Sequence, residues 1–185
     1  MTTTDQGADG VLAFARAGDA AALERLLADV RPAVYRYCLA RLLDPHDADD
    51  VTQEVTVAML GAVHRYVEQG RPFLAFVFGI AANKVSEFRR ARARRPADPT
   101  GELPDGAADA TSEPEQAVLQ LEASRRVAAL LALLTPDQAE VLRLRVAAGL
   151  SAEETGSVLG MTAEAVRASQ HRALLRLRSH LGGAA

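Results

Sequence analysis

The segment DADDVTQEVTVAML, residues 47–60, places four carboxylates within eight residues of one another. These carboxylates are Asp47, Asp49, Asp50 and Glu54. Clustered carboxylates can bind a metal ion or act in acid–base catalysis when a nucleophile, a histidine or a substrate pocket accompanies them. The neighbouring sequence supplies none of these, so we do not interpret the cluster as a catalytic site.

A helix through this segment would carry an acidic and amide face. Asp50, Gln53 and Glu54 lie three and four residues apart, and such residues share one side of a helix. The apolar residues that would face inward are Val51, Val55 and Met59. The exposed face suits a basic, helical protein partner. The alternative is a solvated helix N-terminus, which the helix dipole favours.

Other residue types that carry catalysis or bind metals are sparse. The chain has one cysteine, Cys38, and four histidines that are scattered rather than spaced as metal ligands. This pattern excludes a disulfide framework and a thiolate metal cluster, and it argues against a zinc enzyme. We expect no cofactor and no enzymatic activity, and we interpret Cys38 as a core residue.

A second cluster, in residues 84–95, is strongly basic. It has six basic side chains and one acidic side chain, a density typical of surfaces that contact nucleic-acid phosphates. Lys84 and Arg89 suit phosphate contacts. The polar residues that share one helical face in this region are Asn83, Ser86, Glu87 and Arg90.

Two aromatic residues, Phe76 and Phe78, precede the basic cluster. An exposed ring can stack on an unpaired base, whereas a buried ring serves the core. We favour the core interpretation for both residues and leave base stacking as the alternative.

The C-terminal part has the pattern of a helix-turn-helix between Ser151 and Gln170. Ser151 and Glu154 form a capping box, Gly160 permits a tight turn and Thr162 can cap the following helix. Gly156 leaves room for close approach of the two helices. The expected small core between these helices consists of Val158, Leu159, Met161 and Val166.

The second helix of this motif would direct Arg167, His171 and Arg172 outward. In helix-turn-helix proteins the N-terminal residues of this helix enter the major groove and basic side chains contact phosphates. The alternative is a solvated basic helix in an ordinary bundle.

Helical spacing of apolar residues runs through both halves, and alternating strand patterns are absent. Asp44-Pro45 is expected to end one helix, with Asp47 as the cap of the next. Thr135 to Gln138 form another capping box. No stretch approaches the roughly 18 apolar residues of a membrane span, and the N-terminus lacks a secretory signal. We expect an all-α, cytoplasmic protein with no membrane insertion.

A proline-rich acidic segment divides the chain. Residues 96–115 contain six acidic and no basic side chains and a single leucine, too little apolar surface to offset the entropy of ordering. We therefore predict two small helical domains, at residues 13–95 and 116–182, joined by a flexible acidic linker at 96–115.

Three segments together resemble bacterial RNA polymerase sigma factors of the sigma-70 family, extracytoplasmic-function group (group IV). Residues 130–181, LLALLTPDQAEVLRLRVAAGLSAEETGSVLGMTAEAVRASQHRALLRLRSHL, resemble region 4. Residues 47–60 resemble region 2.2, and residues 71–95, RPFLAFVFGIAANKVSEFRRARARR, resemble regions 2.3 and 2.4. The segments occur in family order. FGIAANKVSEFRR, residues 78–90, is similar to the subgroup that includes mycobacterial sigma factor D.

The resemblance implies a factor that binds core RNA polymerase and directs promoter-specific initiation. Its partners would be the clamp helices of the largest polymerase subunit, the flap of the second-largest subunit, promoter DNA and an anti-sigma factor. The implied polymerase-binding residues are Asp49, Asp50, Gln53 and Glu54. The candidates for the −10 element are Asn83, Lys84, Ser86, Glu87, Arg89 and Arg90. The candidates for the −35 element are Thr162, Ala163, Glu164, Arg167, Ala168, His171 and Arg172.

The sequence departs from the family pattern at three positions in region 4. Thr155 replaces a larger aliphatic residue, and Ser169 and Gln170 replace an arginine and an apolar residue. The base preference of the family therefore cannot be transferred to this chain.

Two other functions remain open from the sequence. A stand-alone helix-turn-helix regulator with a helical N-terminal domain would bind duplex DNA without polymerase. An interaction protein whose region 4 has lost its promoter function would tolerate alanine at Arg167 and Arg172. The changes at Ser169 and Gln170 favour this second possibility.

Overall fold

The computed structural model describes residues 4–67, 72–94 and 114–182, and no β-strand occurs in these ranges. The helices are α1 (Thr4–Arg16), α2 (Ala20–Leu42), α3 (Pro45–Val63), α4 (Phe73–Arg94), α5 (Pro114–Ala132), α6 (Pro136–Leu142), a π-helical turn (Arg143–Ala147), α7 (Ala152–Leu159) and α8 (Ala163–Gly182). The prediction of an all-α fold is confirmed.

Most of the predicted linker, residues 96–113, lies outside the described residues. Its last two residues, Pro114 and Glu115, are the first two of α5, so this helix begins before the predicted start of the second domain. Proline suits the first position of a helix because the amide hydrogen it lacks would have no partner there.

The predicted cap of α3 is wrong by three residues. Asp44 is the N-cap, its carboxylate accepts hydrogen bonds from the backbone amides of His46 and Asp47, and Pro45 is the first helical residue. Asp47 therefore lies inside the first turn. The fixed φ of Pro45 starts the helix, and this places the cap immediately before it.

Helices α2, α3 and α4 enclose the core of the first domain. Val51, Val55 and Met59 are buried, as predicted. Phe78 is fully buried with its ring edge-on to Tyr37, at 5.5 Å between centroids. Phe78 is therefore a core residue.

Phe76 has a different environment from Phe78. It is half-buried, and its ring packs against Tyr66 and Phe73, with centroids 5.3 and 6.1 Å away. These three rings form an aromatic cluster at the start of α4.

The second domain has two small cores, and each includes a buried residue of α8. One joins Leu134, Ala139, Leu142 and Ala173, and the other joins Val141, Ala152 and Val166 with Leu159 and Met161. Val158, predicted to lie in the core between the motif's helices, instead packs against the cluster that joins the core of the first domain to Leu144, Ala148 and Leu150. The prediction for Val158 is wrong because it considered only the two helices of the motif.

The turn of the helix-turn-helix has the predicted geometry. Ser151 and Glu154 form the capping box, and the Thr162 hydroxyl accepts from the amide of Ala165 at 3.1 Å. Gly160 has φ +67°, a conformation that glycine adopts without steric cost. Gly156 lies so close to the turn that an added Cβ would be 2.4 Å from the Met161 carbonyl oxygen.

We predict that stability falls at alkaline pH. Burial raises the pKa of the Cys38 thiol to about 11, and burial together with Glu140 raises that of Tyr37. In the unfolded chain these groups titrate near pH 8.5 and 10, so their contribution is complete below pH ~8.5 and is lost as the pH rises toward 11. Urea unfolding should show a loss of about 4 kcal/mol over this range, and a smaller loss in Cys38→Ala. An equal loss in both proteins would contradict the assignment.

We predict that Gly156→Ala destabilises the second domain by about 2–3 kcal/mol, because the clash involves backbone atoms that no side-chain rotation relieves. Gly61→Ala is the matched control. Gly61 lies within α3 with nothing within 4 Å of an added Cβ, so alanine should stabilise the protein there by about 0.5–1 kcal/mol. Urea unfolding of both variants measures the difference. Equal stabilities would refute the close approach at Gly156.

Candidate nucleic-acid and protein interfaces

The acidic face of α3 is exposed as predicted, but its carboxylates have different environments. Asp50, Gln53 and Glu54 are exposed. Asp49 is less exposed and accepts hydrogen bonds from Arg31 of α2 at 3.3 Å and from Gln53 at 3.0 Å. Asp50 is therefore the carboxylate most available to a partner on this face, whereas Glu54 is exposed but also pairs with Lys84 of α4.

Asp47, the fourth carboxylate of the cluster, pairs with Arg92 near the end of α4. Burial raises the pKa of Asp47, and the charge of Arg92 opposes this effect. Asp47 thus joins α3 to α4 and does not belong to the acidic face.

The face of α3 continues into an apolar surface that sequence reasoning missed. Val57 is 69% exposed and Leu60 is 36% exposed. Val57 follows Gln53 by four residues and Glu54 by three, so helical spacing places it on the same side. That spacing was the available signal. The face can therefore offer a partner both charge and apolar contact.

The predicted DNA-contacting residues of α4 fall into two groups. The exposed group consists of Asn83, Glu87, Arg89 and Arg90. Ser86 and Lys84 are half-buried, and the Ser86 hydroxyl donates to the carbonyl of Ala82 at 2.8 Å. Asn83, Glu87 and Arg90 share one face of α4 by their spacing, and Arg89 lies beside that face.

Lys84 connects the two candidate surfaces. Its ammonium lies 3.2 Å from the Glu87 carboxylate on α4 and 3.4 Å from the Glu54 carboxylate on α3. Hydrogen bonds to Glu87 and Glu54 and their negative charges raise the pKa of Lys84. A phosphate at Lys84 would have to replace these carboxylates.

The recognition helix α8 exposes the predicted basic side chains. Arg167, His171 and Arg172 are exposed, and so are Thr162 and Glu164, whereas Ala163 and Ala168 are half-buried. Arg167 pairs with Glu153 of α7, and both side chains are exposed. Such surface pairs contribute little energy, so Arg167 can exchange Glu153 for a phosphate or a base.

The three departures from the family pattern lie inside the second domain. Ser169 is buried, and Gln170 accepts a hydrogen bond from Arg145 of the π-helical turn at 3.0 Å. Thr155 is buried, and its hydroxyl has no hydrogen-bond partner among the described residues. Ser169 and Thr155 are buried and Gln170 is hydrogen-bonded to Arg145, so these changes leave the exposed basic side chains of α8 in place.

The described residues contain no group of three or more histidine, cysteine or acidic side chains that could bind a metal ion. Among the helices within the described ranges, none is both long and apolar enough to span a membrane. The candidate contact surfaces among the described residues are the exposed faces of α3, α4 and α8, and the first two adjoin at Lys84.

Comparison with known proteins identifies the family regions that contain these faces. Residues 26–95 match the family model for Sigma-70 region 2, and residues 130–179 match Sigma-70, region 4. The first match includes α3 and α4, and the second includes α8. A stand-alone helix-turn-helix regulator does not account for the region 2 match.

Relatives extend over nearly the whole chain. The ECF RNA polymerase sigma factor SigD of Mycobacterium tuberculosis is 46% identical over 186 residues, which cover 98% of this chain and 87% of that protein. ShbA, an ECF sigma factor of Streptomyces griseus, is 49% identical over 170 residues, covering 88% of each chain.

A solved structure is also similar. The structure of CnrH in complex with the cytosolic domain of CnrY has a TM-score of 0.69 and 27% identity, and it covers 95% of this chain and 97% of CnrH. The matched regions, the identity and the coverage lead to one conclusion. This chain belongs to the extracytoplasmic-function (ECF) group of the sigma-70 family, the sigma factors that bind core RNA polymerase and direct promoter-specific transcription.

Proposed function

We propose that α3 is the surface on which this sigma factor binds core RNA polymerase. The observation that supports this role is the exposed row of Asp50, Gln53 and Glu54, which continues into the apolar side chains of Val57 and Leu60. An acidic edge beside apolar area fits a basic, helical partner such as the clamp helices of the largest subunit. Asp49 contributes less directly, because Arg31 and Gln53 already occupy its carboxylate.

The −10 element is contacted by α4. Asn83, Glu87 and Arg90 supply the exposed polar groups for bases, and Arg89 contacts phosphate. Lys84 joins them once DNA replaces its carboxylate partners. Phe78 takes no part, since its ring is fully buried.

The −35 element is contacted by the first half of α8. Helix-turn-helix proteins insert this end of the recognition helix into the major groove. Arg167 and Arg172 supply base or phosphate contacts, and His171 lies beside them. Glu164 and the half-buried Ala163 and Ala168 form the remaining groove-facing surface. The second-largest polymerase subunit would contact this domain through its flap.

The factor itself catalyses no reaction and acts in the cytoplasm, where it selects promoters for the polymerase. Control by an anti-sigma factor also fits, because the similar structure of CnrH contains the cytosolic domain of CnrY. Copurification from the source cell should then recover a second protein besides polymerase.

We predict that the double substitution Asp50→Asn, Glu54→Gln weakens binding to core polymerase about tenfold. Each exposed interfacial charge of this kind contributes up to about 1 kcal/mol, and a combined loss of about 1.4 kcal/mol corresponds to a factor of ten. Asp29→Asn is the matched control, since Asp29 is exposed on α2, away from this face. Fluorescence titration of labelled protein with core polymerase measures both. Equal affinity of the double variant and the control would remove α3 from the interface.

Run-off transcription with purified core polymerase on a genomic fragment library tests the function as a whole. New start sites should appear only with this protein, and their alignment gives both promoter elements. Arg167→Ala and Arg172→Ala should each reduce transcription from these sites about tenfold. Arg125→Ala is the control, because Arg125 is an exposed arginine on α5. Unchanged transcription with both α8 variants would show that the second domain has no promoter role.

A further inference from the structure

The two domains meet at a carboxylate that accepts hydrogen bonds from both. Glu140 of α6 has only 14% of its side chain exposed. Its Oε1 atom accepts from the Tyr37 hydroxyl at 2.6 Å, and its Oε2 atom accepts from Arg41 at 2.8 Å and from Arg143 at 3.2 Å. Tyr37 and Arg41 belong to α2 in the first domain, so two of the three donors cross between the domains.

Two further hydrogen bonds flank Glu140. The Arg143 guanidinium donates to the carbonyl of Ala40 at 3.2 Å, and the Arg36 guanidinium donates to the carbonyl of Ala147 at 2.8 Å. Arg143 and Ala147 are the two ends of the π-helical turn. Such turns are rare and occur frequently at functional sites. Here the turn lies along α2 and presents its last carbonyl to Arg36.

Apolar contacts surround these polar groups. Leu144, Ala148 and Leu150 of the second domain are buried in the same cluster as the core of the first domain. Val158 and Leu159 of α7 also pack on this cluster, and α7 contacts α4 directly. The domains are therefore held together by a continuous interface with Glu140 at its polar centre.

This arrangement is incompatible with binding both promoter elements on one duplex. Helix α8 packs on α7 and α7 packs on α4, which at helix spacings of 8–10 Å places α8 within about 20 Å of α4. The −10 and −35 elements are about 25 base pairs apart, which is about 85 Å of B-form DNA. The second domain must leave the first before both elements are bound.

We propose that Glu140, Tyr37, Arg41 and Arg143 form a latch that holds the polymerase-free protein closed, and that its release precedes promoter binding. The closed state includes an unfavourable contribution to its free energy, because the buried Nε atom of Arg41 has no hydrogen-bond partner among the described residues. Opening lets water solvate that atom, the carboxylate and its donors. A polar centre of this kind gives the closed contact a defined geometry and still permits its release.

Distance measurements on the full-length protein, without polymerase or DNA, test the latch. Spin labels are attached at Ala28→Cys on α2 and Ser179→Cys on α8, both exposed positions. The native Cys38 is fully buried and does not compete for the label. The unsubstituted protein should give one short, narrow distance distribution. Glu140→Gln, which keeps the size of the side chain but removes its charge, should raise the long-distance fraction about tenfold.

Glu122→Gln is the matched control, because Glu122 is an exposed glutamate on α5, and its distribution should match that of the unsubstituted protein. Tyr37→Phe keeps the ring contact with Phe78 and removes one donor, so it should give an intermediate shift. If Glu140→Gln does not fold, Arg36→Ala removes one interdomain hydrogen bond through an exposed side chain and should also shift the distribution. A folded Glu140→Gln or Arg36→Ala with an unshifted distribution overturns the latch.

Addition of core polymerase to the unsubstituted protein should move the distribution to long distances. A short distance that persists in the polymerase complex would overturn the requirement for release. The consequence for promoter binding rests on the proposed function, but the latch does not. The distances measured without polymerase test the latch. Transcription with the Arg167 and Arg172 variants tests the promoter role, so one proposal can fail while the other holds.

Discussion

The complete burial of Tyr37 is the constraint on which the arrangement of the two domains depends. Its ring lies edge-on to Phe78 within the first domain, so the position of the hydroxyl is set by that core. A buried hydroxyl without an acceptor is costly, and Glu140 supplies the acceptor. In the closed state the helix that carries Glu140 therefore lies over α2, and the π-helical turn and α7 also contact the first domain.

Packing in the first domain also decides which surfaces remain for partners. Helices α3 and α4 turn Val51, Val55, Phe78 and Val85 toward a shared core, which leaves their polar faces outside and adjacent. The two faces are close enough for Lys84 of α4 to contact Glu54 of α3. The proposed polymerase and −10 surfaces thus share a charged boundary, so occupation of Glu54 by polymerase would change the electrostatic environment of Lys84.

Two cations proposed for DNA contact already have carboxylate partners within the chain. Lys84 contacts Glu54 and Glu87, and Arg167 contacts Glu153. These pairs are largely exposed, where an ion pair contributes little and salt screens it. Replacement of the carboxylate by a phosphate therefore costs little free energy. The net gain is only the difference between the two interactions. This weak net gain is consistent with the near-neutral charge of the protein, −3, and with the proposal that it acts on promoters together with polymerase.

Local chemistry in the sequence determined the helical fold, the capping boxes at Thr135 and Ser151, the turn at Gly160 and the exposed faces of α3, α4 and α8, because each depends on residues within about one helical turn. The prediction from local sequence was wrong for one cap: it assigned Asp47, whereas Pro45 begins α3 and Asp44 is its N-cap. Only the tertiary structure decided that Val158 faces the first domain, that Gln170 faces Arg145, and that Glu140 meets Tyr37 across 103 positions. A spacing pattern specifies which face of a helix is apolar. It carries no information about which distant helix covers that face, since that choice depends on the packing of the whole chain.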